Sequence, residues 1–141
     1  MFNNYKILHI TDMHFRHNGR LFYSTGKKIN NGLIQNGHNV LNISDRDITN
    51  QKKNIFDLGS KKFLLNQILK NIENFKPDII LLGHVDRLDY ESFLHLKEKY
   101  SSIKFTQWFL DPLIKKGPNF KKNKNRFFLK YQFCDANFVT T

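Results

Sequence analysis

"SKKFLLNQILKNIENFKPDIILLG", Ser60 to Gly83, is the stretch on which the fold turns. Its first part sets Phe63, Leu64, Ile68, Ile72 and Phe75 on one face at helical spacing, with Ser60 as the N-cap. Pro77 ends that period, and "DIILLG" follows as an unbroken apolar run of strand length. Such a run, without polar alternation, suits a strand buried on both faces. A helix feeding such a strand is part of a βαβ unit, and the rest of the chain holds more of the same pattern.

Working outward, "YKILHIT" (Tyr5–Thr11) reads as a first buried strand. From Arg20 to Gln35, Leu21, Phe22, Ile29, Leu33 and Ile34 fall largely at helical spacing, and "NGH" (Asn36–His38) stops that helix with glycine. "HNVLNIS" (His38–Ser44) alternates as a second strand, and Asp45–Gly59 is polar and irregular. Beyond Gly83, Asp89 caps a helix over "YESFLHLKEKY". "IKFTQWF" (Ile103–Phe109) is a strand, Asn119–Phe133 a helix, and Ala136–Thr141 a fifth strand. Strand and helix alternate without hairpin signals. The expectation is α/β: a Rossmann-like parallel sheet of about five strands with helices on both faces. Ligands in such sheets sit at the carboxyl ends of the strands, so the loops Asp12–Arg20, Ser44–Ile48, Gly83–Asp89 and Phe109–Gly117 carry the function.

The 141 residues fit one domain, and 40% of them are hydrophobic, enough for one core. A single cysteine, Cys134, excludes an internal disulfide framework and points to a reducing, cytoplasmic setting. No apolar run approaches the roughly 20 residues of a membrane span. The net charge is +11, carried by scattered lysine pairs that suit a solvated surface, with a basic face for phosphorylated or membrane-linked substrates as the alternative. That leaves peripheral contact with an anionic membrane open. No helix-turn-helix or RNA-binding-sheet pattern is present, so no specific nucleic-acid partner is expected.

"DMH" (Asp12–His14) after the first strand is how metal-dependent phosphoesterases begin. A two-metal site also needs a carboxylate shared by both ions. The corresponding turn is "GHVDR" (Gly83–Arg87), with His84 where that carboxylate should stand and Arg87 where a second is needed. No histidine follows His95, so the closing ligands are missing, and no metal is expected. A cobalamin-type loop would need glycine at His17. The dinucleotide fingerprint, the P-loop and the Gly-x-Ser-x-Gly elbow are absent as well. Cys134, beside an apolar stretch and without a histidine partner, reads as a buried structural thiol, and Trp108 as core packing.

Read in order, "ILHITDMHFRHNGRLFYSTGKKINNGLIQNGHNVLNISDRDI" resembles the first unit of a GT-B glycosyltransferase. "PDIILLGHVD", "QWFLDPL" and the closing "CDANF" resemble the CgeB-like transferases, classed with family 1 glycosyltransferases. The resemblance covers nearly the whole chain. It implies the N-terminal, acceptor-side domain of a two-domain enzyme, with the donor-binding residues on a further domain and no transfer by this part alone. It implies a sugar nucleotide as donor, an unnamed acceptor, and no other cofactor. Asp12 and His14 are then candidates for catalysis, a strand-end base being what an inverting transferase requires. His17, Asn18, Gly19 and Arg20, taken as a helix N-terminus that favours an anion, are candidates for substrate contact. So are His84, Asp86 and Asp111 at the next strand ends.

Overall fold

A computed structural model describes residues 3–52 and 58–140. Five strands, β1 (Lys6–Ile10), β2 (Asn39–Ile43), β3 (Ile79–Leu82), β4 (Lys104–Phe109) and β5 (Ala136–Val139), form one sheet in the order β2-β1-β3-β4-β5. Every pairing is parallel, with Leu8 opposite Leu41 and Ile80, and Phe105 opposite Ile80. The helices are α1 (Thr25–Gln35), α2 (Asp45–Gln51), α3 (Leu58–Phe75), α4 (Tyr90–Lys99) and α5 (Phe120–Tyr131).

The pleat sends alternate side chains to opposite faces. Leu8, Ile10, Ile80, Leu82 and Phe105 meet Leu64, Ile68 and Ile72 of α3, Phe93 and Leu96 of α4, and Leu129 of α5. Ile7, Leu81 and Trp108 meet Ile29 and Leu33 of α1 on the other face. Each fully buried Leu, Ile or Phe contributes roughly 1.5–3 kcal/mol. The expected α/β sheet with helices on both faces is therefore present. β1 and β3 are the neighbours at which the chain reverses its progress across the sheet, the position where such folds open a crevice.

Local chemistry sets the helix ends. Asp89 Oδ1 accepts from the Ser92 N–H (3.1 Å) and Oγ (2.6 Å), capping α4 as the sequence indicated. Gly37 (φ 86°) closes α1 by donating to Ile34 O, while His38 donates to Leu33 O. That paired reversal is one that glycine adopts without strain. No helix among the described residues is long and apolar enough to cross a membrane.

Three local expectations need correction. The first helix begins at Thr25, not Arg20, because Gly19 (φ 88°) and Asn18 (φ 49°) turn the chain first. Phe22, counted as a core position, is exposed instead. Asp45–Gln51, expected to be irregular, is helical. It has no apolar period because its buried residues are Asp45, Asp47 and Thr49. Residues 53–57 of that irregular stretch lie outside the described residues. Ser60, expected as an N-cap, lies inside α3, which starts at Leu58.

Candidate functional site

Asp12 follows β1 and is almost fully buried. Its Oδ1 accepts from the His14 N–H (3.0 Å), a local turn typical of Asp, and His14 takes the left-handed conformation that closes it (φ 59°). The turn brings the imidazole back, so that His14 Nδ1 lies 3.2 Å from Asp12 Oδ2, without the alignment of a hydrogen bond. Arg16 grips Asp12 with two bonds (2.6 and 2.8 Å) and also donates to Asp47 (2.9 Å). Asp47 in turn accepts from the N–H groups of Phe15 and Arg16 and from Ser44 Oγ, fixing the loop to α2.

The charges continue across the sheet. Arg46 of α2 pairs with Asp86 and lies 3.6 Å from Asp12. Arg126 of α5 donates to Asp86 (2.9 and 2.8 Å) and to Asp111 (2.9 Å). Its Nη2, one of the two nitrogens that engage Asp86, is also 3.1 Å from His84 Nδ1. Asp45, fully buried, accepts from the N–H groups of Asp86 and Arg87 and so ties the end of β2 to the loop after β3.

Electrostatics follow from burial and pairing. Burial raises the Asp12 carboxyl, but the bonds from Arg16 and the His14 N–H outweigh it and leave it below the ordinary carboxylate range. Burial lowers His14, and Asp12 only partly offsets this, so the ring is neutral at pH 7. Burial lowers His84 likewise, with Asp111 opposing and Arg126 reinforcing. His84 stacks on Phe109 with its ring centroid 5.6 Å away. Deeper in the molecule, Lys130 is buried and donates to Gly83 O (2.7 Å), and burial lowers it to about 8.

A cavity of about 260 Å³ opens at this end of the sheet. Thr11, Asp12 and His14 line it from the β1 loop, Ser24 to Gly26 from the start of α1, and Arg46 from α2. His84 lines it from the β3 loop, and Trp108, Leu110 and Asp111 from the end of β4. Gly26 and Gly83 let neighbouring segments pack closely against two of its wall residues, Thr11 and Trp108. A β-carbon on Gly26 would stand 2.9 Å from Thr11 Cγ2, and one on Gly83 would stand 2.4 Å from Trp108 Cζ2. Ser24 Oγ is buried and without a partner among the described residues, and α1 has no side-chain cap. The wall therefore offers hydroxyls, a guanidinium, two imidazoles, two carboxylates and an indole edge. That set suits a polyhydroxylated ligand.

Of the residues singled out from sequence, the structure brings Asp12, His14, His84 and Asp111 to this cavity. Asp86 sits behind it, held by Arg46 and Arg126. His17, Asn18, Gly19 and Arg20 do not line it. The N–H groups of His17, Asn18 and Arg20 close turns onto His14 O, Phe15 O and His17 O and do not form a helix N-terminus. Arg16, Arg46 and Arg126 escaped sequence reading, since only the fold shows that they face acids. Trp108, expected in the core, both packs there and lines the cavity. Among the described residues no three His, Cys, Asp or Glu are grouped to hold a metal ion, and guanidinium groups engage the oxygens of Asp12 and Asp86. No protein-family profile matches the chain, and no curated protein matches it significantly.

Proposed function

We propose that the chain is the acceptor-side domain of a GT-B-type glycosyltransferase that acts in the cytoplasm on a sugar-nucleotide donor. The observation that carries this reading is His14. It is a neutral imidazole beside the Asp12 carboxylate, at the mouth of a cavity next to the β1/β3 reversal. With Nδ1 turned to Asp12, Nε2 is left for an acceptor hydroxyl. In an inverting transfer His14 takes the hydroxyl proton as the oxygen bonds to the anomeric carbon of the donor, and the nucleoside diphosphate departs with the glycosidic electron pair. Asp12 then stabilises the imidazolium. Arg16, sharing Asp12, limits how far the carboxylate raises the basicity of His14. Trp108 and His84 supply aromatic rings for a sugar, and Thr11, Ser24 and Arg46 supply hydrogen bonds.

This reading places donor contacts on a further domain, so the measurement on this chain is acceptor binding. Imidazole NMR signals of His14 and His84 are followed while neutral glycosides and glycolipid head groups are added. Saturable shifts in both rings that His14→Ala abolishes are expected. In the protein carrying both domains, the same variant should lower kcat by about 10²–10⁴-fold. The reading falls if no sugar moves either ring, or if transfer survives His14→Ala. Phosphoester hydrolysis that depends on an added divalent ion would instead favour a metal-dependent hydrolase.

A further inference from the structure

Two loops flank the cavity at the carboxyl end of the sheet, and both expose large apolar side chains. In the β1–α1 loop Phe15, Phe22 and Tyr23 are 60%, 72% and 57% exposed, and in the β4–α5 loop Ile114 is 66% exposed, with Leu110 beside it. One exposed apolar residue is ordinary, but a set of them beside one cavity marks an interaction surface. The first loop is also firmly built. Its N–H groups close successive turns from His17 to Ser24, and Asp47 clamps its start. The aromatic side chains are thus held outward by an ordered backbone.

The charge of the same surface has one sign. No Asp or Glu occurs between Asp12 and Asp45. Arg20, Lys27, Lys28, Lys115 and Lys116 form no ion pair among the described residues, whereas Asp12 and Asp111 are held by Arg16 and Arg126. The rim therefore combines apolar anchors with uncompensated cations, the pairing that an anionic bilayer accepts. The anchors enter the headgroup–acyl boundary and the cations reach lipid phosphates.

We propose that the β1–α1 and β4–α5 loops dock the protein on an anionic lipid surface. Ser24 to Gly26 directly follow Phe22 and Tyr23 and line the cavity, so docking sets the cavity beside the lipid headgroups. The proposal stands apart from the glycosyltransferase reading and needs no sugar to test it.

The test is flotation with phosphatidylcholine vesicles, with and without phosphatidylglycerol. Binding only to the anionic vesicles is expected, weakened about tenfold or more by Phe22→Ser with Tyr23→Ser, and similarly by Lys115→Gln with Lys116→Gln. The pair Lys70→Gln and Lys76→Gln, toward the other end of the sheet, should leave it unchanged. Phe22→Trp should shift its emission to the blue on vesicle addition, against the buried Trp108 as internal reference. Circular dichroism melting of each variant separates a lost contact from a lost fold, and all the substituted residues are exposed or at the surface. The proposal is overturned by absent binding to anionic vesicles, by full binding of the Phe22/Tyr23 variant, or by a Phe22→Trp emission that stays fixed. A single-stranded oligonucleotide that binds in preference to the vesicles also overturns it.

Discussion

His9 lies in the middle of β1 with no exposed surface, its Nε2 accepting from the Trp108 indole N–H (3.1 Å) and its Nδ1 without a partner. Burial lowers it from 6.5 to about 4. The folded chain therefore refuses a proton that the unfolded chain takes up below pH 6.5. Stability must fall as pH drops through the window from 6.5 to about 4. Each pH unit between the two values is worth about 1.4 kcal/mol, so the full window amounts to roughly 3 kcal/mol, and roughly 2 kcal/mol is lost by pH 5. His9→Gln removes the titration while leaving an oxygen for the Trp108 N–H. Urea unfolding, followed by the fluorescence of the single tryptophan and by circular dichroism, is measured from pH 4.5 to 7.5. His14 and His84, lowered in both proteins, cancel in the difference, as does every other group that the substitution leaves in place. Wild type should lead at pH 7.5 and lose roughly 2 kcal/mol of that lead by pH 5. Parallel stability curves for the two proteins would refute the reasoning.

Gly83→Ala drives a methyl to 2.4 Å from Trp108 Cζ2 and 2.5 Å from Thr11 Oγ1, and should destabilise by about 1–3 kcal/mol with altered Trp108 emission; an unchanged urea midpoint would count against it. Lys130, lowered by burial to about 8, should let wild-type stability rise by about 1 kcal/mol between pH 8 and 9. The reason is that the unfolded lysine keeps its proton there. Cys134, raised by burial to about 11, opposes the rise from pH 9 upward. Lys130→Met should flatten that rise in the same unfolding assay.

The sheet was legible because each strand is a short apolar run and each return helix except α2 shows an apolar face. Asp89 was legible as a cap because capping is local. What stayed hidden depended on distance in space or on polar burial. α2 turns Asp45, Asp47 and Thr49 inward, so no hydrophobic period announces it. Leu21 and Phe22 mimic a helix face, yet Gly19 and Asn18 turn the chain before a helix forms. His14 and Asp12 could be singled out because strand ends are where ligands bind. Arg46 and Arg126 could not, because their partners lie 40 residues away in the chain. His9 gave no signal, since a mid-strand histidine looks the same whether it is buried or wet.

The charges at the carboxyl end have a consequence for measurement. Asp47, Arg16, Asp12, Arg46, Asp86, Arg126 and Asp111 alternate in sign across four strand ends, each anion touching a cation. On a chain of net charge +11, the charges around the cavity are thereby largely paired with one another. Affinity of an uncharged ligand for the cavity should be nearly indifferent to ionic strength. Attachment through the unpaired lysines of the rim should fade steeply as salt is added. A salt series alone would therefore separate the two faces of this end of the sheet.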